Sequence, residues 1–326
     1  MAANGGRVPD FFIVGHAKCG TTALHRMLRE HPQIFMCEPK EPWYFARENP
    51  HPQTSGERSI EYTGTKFETL EQYLALFAAA RPDQRVGEAS SSYLWSKSAP
   101  ARIAQVRPDA RIVAIFREPA SFLRSLHLQH LSSHDESEKD FRKAIELEAE
   151  RRQSRSIPKH ANWPQVLIYT DRVRYAEQLE RYRALFGADQ ILALIYDDFR
   201  ADNLATIRRV LRFLEVEEDF EFKQLEANPT VGVRSVRLDH FRRSLRAGET
   251  PVLRLARGAG KALTTQRARE SLYYPLLRRG VFSQPPPVDE RFMLELRRRF
   301  RGEVVALGEY LQRDLVSLWG YDALDS

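Results

Sequence analysis

The chain has 326 residues, 42% of them hydrophobic and 29% charged, enough to bury a sizeable core in one large domain. Its net charge of +6, mostly from arginine, favours an anionic ligand, but no zinc spacing or nucleic-acid module accompanies it. Two cysteines, Cys19 and Cys37, do not make a disulfide framework, and no apolar run reaches the length of about 18 residues that a membrane span needs.

The N-terminal MAANGGRVPD is polar and has no apolar signal core; the expectation is a soluble cytoplasmic protein or one whose N-terminus has been trimmed, and the strand that starts almost at once favours the first. Phe11 to Leu24 read FFIVGHAKCGTTAL. The apolar run predicts a buried strand near 11–15, and Gly-Thr-Thr predicts the start of a helix near 20–31. Gly15 and Gly20 have the spacing of a Walker A loop. Thr21 stands where that motif has lysine, and the lysine has moved back to Lys18. Amides around Gly20, Thr21 and Thr22, at the positive end of a helix, make a phosphate cradle. The threonine hydroxyls add donors and Lys18 adds a mobile charge. A lysine set back in the loop suits a nucleotide without a γ-phosphate.

Gln33 to Met36 predict a short strand, followed by EPKEPWYFA from Glu38 to Ala46. Residues 47–66 are polar and turn-rich, a loop over the site. A helix is expected near 68–80, then a strand near 85–89 within VGEASSSYLW. Arg111 to Leu131 read RIVAIFREPASFLRSLHLQHL. Ile112 to Phe116 predict a buried parallel strand, and Pro119 suits the first turn of the next helix. Arg117 then lies just past the strand's carboxyl end and Ser125 in the second helical turn. An arginine forks onto a phosphate with two charge-assisted bonds, and a hydroxyl adds another. The competing assignment pairs Arg117 with Glu118 or Glu88.

Further helices are expected over Asp140 to Arg152, over Tyr169 to Phe186 and near 203–214, with a strand over 190–195. C-terminal helices follow near 238–246, 252–270 and 287–311, the last after Pro285-Pro286-Pro287. Arg297-Arg298-Arg299 reads as a solvated face beside Glu290, Glu295 and Glu303. The pattern is α/β: a P-loop-type central parallel sheet flanked by helices, with a helical C-terminal part, in a single domain over 1–326.

These segments resemble the sulfotransferases that use 3′-phosphoadenosine-5′-phosphosulfate (PAPS, leaving the diphosphate PAP), in their bacterial and heparan-sulfate-type branch. Ala17-Lys18-Cys19-Gly20-Thr21-Thr22 is similar to the 5′-phosphosulfate loop P-K-x-G-T-[TS], with Ala17 in place of proline. Arg117 and Ser125 match the pair that holds the 3′-phosphate. VGEASSSYL is similar to G-E-x-S-P-x-Y-[LF]; Ser91 replaces the usual proline, and Ala89 stands where heparan-type enzymes often have an assisting lysine. Asn228 to Arg237 resemble the segment that returns toward the nucleotide. The resemblance implies that Lys18, Cys19, Gly20, Thr21, Thr22, Arg117, Ser125 and Arg234 bind PAPS. It implies Glu41 as the catalytic base, with Lys18 stabilising charge on the departing diphosphate; the competing assignment makes Glu41 a surface carboxylate paired with Lys40 or an arginine, and Glu38, His127 and His130 rank behind Glu41. Glu88 is either an orienting group or a cap on a buried strand end. The acceptor is a hydroxyl or amine of a small molecule or carbohydrate, with Trp43, Tyr44, Phe45, Trp95 and Trp163 available to line its cleft. No metal or nucleic acid is implied.

Two other readings stay open. A P-loop kinase or NTPase would need an aspartate for magnesium, for which Tyr196-Asp197-Asp198-Phe199 is the best stretch, although the resemblance makes it structural. A non-catalytic nucleotide-binding protein would bind PAP without turnover.

Overall fold

A computed structural model of the chain describes residues 7–46, 67, 69–159, 161, 164–222, 232–233, 282–283 and 287–324. The loop expected over 47–66, Trp163, Arg234 and the helices expected near 238–246 and 252–270 lie outside the described residues.

Five parallel strands form the central sheet: β1 (Phe11–Gly15), β2 (Ile34–Met36), β3 (Arg85–Ala89), β4 (Arg111–Phe116) and β5 (Ile191–Ile195), in the order β2-β3-β1-β4-β5. β1 and β4 are apolar on both faces because helices cover both, and Phe11 to Val14 and Ile112 to Phe116 are buried. β1 pairs with β4 from Phe11 opposite Arg111 to Gly15 opposite Ala114, with an irregularity after Ile13. This pairing sets the ends of both expected phosphate loops side by side.

The helices are α1 (Thr21–Glu30), α2 (Leu70–Leu74), α3 (Ala99–Val106), α4 (Pro119–Ser133), α5 (Phe141–Glu146), α6 (Glu148–Arg151), α7 (Tyr175–Arg183), α8 (Tyr196–Ala201), α9 (Asn203–Leu214), α10 (Glu290–Leu311) and α11 (Leu315–Leu318). Side chains cap them as the sequence allows. Glu118 accepts from the amides of Ala120 and Ser121, and Asp202 and Asp289 cap α9 and α10. α10 packs on α4 and α7.

Three expected helices are shorter or broken. The one near 68–80 ends as a 3-10 turn over Ala75–Phe77, which seats Phe77 edge-on against Tyr73 with ring centroids 5.2 Å apart. Asp140 to Arg152 is two short helices meeting at Leu147, where Glu148 turns inward to accept from the Thr170 amide and hydroxyl at 2.9 and 2.5 Å. Tyr169–Val173 is a 3-10 turn, and α7 begins only at Tyr175.

Candidate active site

Gly20 caps α1 with φ +88 and offers no side-chain acceptor to the first turn. The free amides of that turn therefore open into the space ahead of the helix. A Cβ at Gly20 would sit 2.8 Å from Cδ1 of Phe199, so the position takes only glycine. Gly15 is closed in similarly: a Cβ there would lie 2.8 Å from Leu94 Cβ. Between them, Lys18 has φ +63, a left-handed conformation that costs a non-glycine residue about 1–3 kcal/mol.

The loop opens on a cavity of about 430 Å³ that also receives Lys40, Glu41, Ser91, Arg117 and Ser125. Lys18, Gly20, Thr21 and Thr22 line it. Cys19 does not: its side chain is fully buried beneath the loop, and its amide donates to the His16 carbonyl at 3.3 Å. Burial pushes the Cys19 thiol up to about 12, so it stays protonated. Burial, and then the nearby Arg117 charge, lower the Lys18 pKa from its ordinary value. The site therefore concentrates positive charge in a place that resists it until an anion arrives.

Arg117 pairs with neither Glu118 nor Glu88. Its Nε donates to Ser121 Oγ and one terminal nitrogen to the Lys18 carbonyl, both at 3.2 Å, and the guanidinium lies 4.9 Å over the Tyr196 ring. Two helical turns along α4, Ser125 is only 3% exposed and its Oγ has no hydrogen-bond partner among the described residues.

Glu41 faces these groups from the loop after β2, with φ +65. Trp43 Nε1 donates to its Oε2 at 2.7 Å, and the Ser91 amide and hydroxyl donate to Oε2 and Oε1, each at 2.8 Å. Lys40 Nζ also contacts Oε1. An ionised carboxylate has about four acceptor sites, so this set fills them. Ser91 thus explains the missing proline: a proline at 91 would supply neither the N–H nor the hydroxyl.

Glu88 is the buried cap. Its carboxylate accepts from Tyr73 and Ser90 at 2.5 Å and Tyr93 at 3.2 Å. Ser90 Oγ in turn accepts from the Trp43 amide at 3.1 Å, and Tyr93 Oη from the Phe45 amide at 3.2 Å. Glu88 therefore fixes the loop that carries Glu41. Burial pushes its pKa up to about 7, against its hydroxyl donors.

Other expectations are redirected. Glu38 pairs with Arg29 on the surface, and His127 Nε2 bonds the Glu138 carbonyl at 2.8 Å; neither lines the cavity, nor does His130. Tyr44 and Phe45 are core residues, since Tyr44 stacks on Tyr73 at 4.6 Å and Phe45 packs edge-on to Phe12 at 5.7 Å. Asp197 accepts from Trp319 Nε1 at 2.9 Å and Asp198 takes a two-pronged pair with Arg313, so both anchor the C-terminal segment. Met27, Gln129, Arg200 and Asn203 also line the cavity, and no sequence motif assigned them a role. Gln129 lies one turn beyond Ser125 on α4, a spacing that helical periodicity offered.

Two loops leaving adjacent parallel strands, both turned to one cavity, define the class as a P-loop-type α/β fold with an anion-suited site. The chain belongs to the sulfotransferase family, which residues 9–221 match. It is 26% identical over 225 residues to "Bifunctional heparan sulfate N-deacetylase/N-sulfotransferase 4" of Mus musculus, covering 67% of this chain and 23% of that protein. It is 24% identical over 247 residues to "Carbohydrate sulfotransferase 15" of Mus musculus, covering 64% of this chain and 44% of the relative. The chain thus spans less than half the length of these curated relatives. The crystal structure of a sulfotransferase from Alicyclobacillus acidocaldarius shares the fold, with TM-score 0.65 and 24% identity over 95% of this chain and 98% of that one.

Proposed function

We propose that the protein transfers a sulfuryl group from PAPS to a hydroxyl or amine of a carbohydrate or natural-product acceptor. The observation that carries this is the unpartnered Ser125 hydroxyl, buried in the cavity where Arg117 and the open first turn of α1 converge. A buried hydroxyl left unpaired costs about 1–3 kcal/mol, and a phosphate oxygen satisfies it. The residues fit a nucleotide with phosphates at both ends. Lys18, Gly20, Thr21 and Thr22 would hold the 5′ end, Arg117 and Ser125 the 3′-phosphate, and Tyr196 and Phe199 offer rings to the base.

When bound, PAPS supplies the activated sulfuryl group. Glu41 takes the proton of the attacking acceptor, and Lys18 offsets charge at the departing phosphate. Because the acceptor sites of Glu41 are filled, one donor has to yield, and Lys40 on its flexible stem is the one suited to do so. Most of the rate then comes from positioning and preorganised charge. The proposed compartment is the cytoplasm, where PAPS is made.

Calorimetric titration with PAP, and separately with ATP plus magnesium, tests the donor. PAP should bind the wild type, and Arg117→Ala should weaken it by roughly 10–100-fold, the loss of a charge-assisted pair of bonds. Magnesium-dependent ATP binding with no response to PAP would make the protein a P-loop kinase or NTPase instead.

A further inference from the structure

The segment that follows α10 reaches the nucleotide side of the molecule without entering the cavity. Three of its side chains donate to carboxylates that lie just past the ends of two neighbouring strands. Arg313 makes its two-pronged pair with Asp198, Trp319 Nε1 donates to Asp197 at 2.9 Å, and Tyr321 Oη donates to Glu118 Oε1 at 2.5 Å. None of the three donors lines the cavity. The segment is firmly seated, since Leu315 and Tyr321 are fully buried and Trp319 nearly so.

Strand pairing explains what the segment holds. β4 and β5 run in register up to Phe116 opposite Ile195. The next residues, Arg117 and Tyr196, are therefore neighbours, and the guanidinium lies over the Tyr196 ring. One position further on come Glu118 and Asp197, the acceptors of Tyr321 and Trp319. Glu118 has two tasks. Its carboxylate caps α4 by accepting from the Ala120 and Ser121 amides at 3.0 and 2.7 Å, and it also takes the Tyr321 hydroxyl. Arg297 approaches the same carboxylate only to 3.7 Å. Burial, and then the Glu118 charge, raise the Tyr321 pKa from its ordinary value, so the phenol stays a donor.

The start of α4 in turn fixes the groups that open on the cavity. Ser121 Oγ donates to the Glu118 carbonyl at 3.1 Å and accepts from Arg117 Nε at 3.2 Å. Tyr175 Oη donates to the Arg117 carbonyl at 3.0 Å. Ser125 follows one turn after Ser121 on the same helix. A guanidinium that meets a phosphate with two parallel bonds depends on its angle, so its support matters. We propose that Tyr321, seated by Trp319 and Arg313, is a positioning residue for 3′-phosphate recognition: through Glu118 it sets the start of α4, and with it Arg117 and Ser125. All three acceptors of the segment follow β4 or β5. None lies on the loop after β1, which would hold the 5′ end, so the effect falls on the 3′-phosphate. The inference rests on the sulfotransferase reading, which supplies the nucleotide.

The test compares PAP with 5′-AMP, which lacks only the 3′-phosphate, by calorimetry on the wild type and on Tyr321→Phe. The variant keeps the buried ring and removes the hydroxyl. PAP affinity should fall roughly 3–10-fold, the range for one bond to a charged group, while AMP affinity stays within about twofold. The preference for PAP over AMP therefore shrinks. In an Arg117→Ala background the same change should cost PAP less than about twofold, because the main group it positions is gone. A lower Tm with an unchanged preference would make Tyr321 merely structural and overturn the inference. Equal losses for PAP and AMP, or the full loss in the Arg117→Ala background, would overturn it too. Should Tyr321→Phe not fold, Trp319→Phe, which unhooks the same segment from Asp197, is read by the same preference and the same criteria. A wild type that binds PAP no better than AMP would strike the sulfotransferase reading and the inference with it, whereas a wild-type preference that survives in the variant strikes the inference alone.

Discussion

The two walls of the first cavity are finished to different degrees. On one, Glu41 has donors at both oxygens from Trp43, Ser91 and Lys40. On the other, among the described residues, Ser125 Oγ has no partner and no side chain caps the first turn of α1. A closed set of hydrogen bonds fixes a group before the ligand comes. An open set is completed by the ligand, and its cost in the free protein is recovered on binding. The first wall is therefore suited to chemistry and the second to affinity.

The strongest way to break this division is Glu41→Gln. It should lower kcat by about 10²–10⁴, the usual contribution of a positioned base, and leave PAP affinity unchanged. Turnover near the wild-type rate would remove Glu41 from the chemistry. Ser91→Pro should follow in size. It deletes both Ser91 donors, and kcat should fall roughly 10–100-fold with PAP affinity intact, since each bond to a charged group is worth about 1.5–3 kcal/mol. A weakened PAP complex with unchanged kcat would mean that Ser91 belongs to the affinity wall.

Ser125→Ala sharpens the comparison from the other side. PAP affinity should drop about 5–10-fold, one hydrogen bond's worth, while the Tm of the free protein stays level or rises. Ser91→Ala, which opens a completed set, should lower the Tm. Equal losses of Tm in both alanine variants would show that the two walls are not different in kind.

The affinity wall was legible because its parts are local. A strand, a glycine turn and a helix start lie within one stretch of chain, and Arg117 and Ser125 lie within another. Strand pairing then brings the two stretches together without further information. The chemical wall was legible only in outline. Glu41 could be picked from its aromatic neighbours, but the bond from Ser91 spans 50 positions, and no periodicity reports it. Tyr44 and Phe45 misled because an aromatic pair beside a site reads as a cleft; the Tyr73 ring, which draws Tyr44 inward, comes from a helix nearly thirty positions further along the chain.

Glu88 lies behind the chemical wall and gives the smallest expected effect, one that appears in pH dependence. Burial raises its pKa from 4.5 to about 7 in the folded protein. Between those values the folded state binds the proton and the unfolded chain does not, so the folded state is favoured at the acid end. That stability is fully present below the unfolded pKa and is lost as pH rises through about 7. Chemical denaturation from pH 5 to 8 should show this decline, and Glu88→Gln, neutral throughout, should flatten it. Because three hydroxyls orient toward the carboxylate, the glutamine also has to turn its amide into a cage of donors, and Tyr73, Ser90 and Tyr93 must rotate to receive it. Some slackening of the Trp43 and Phe45 amides should follow and reduce kcat a few-fold through Glu41, with no change in PAP affinity. A variant with the wild-type pH slope would show that Glu88 does not hold the proton, and the hydroxyl cage would then be organised around a carboxylate that stays charged.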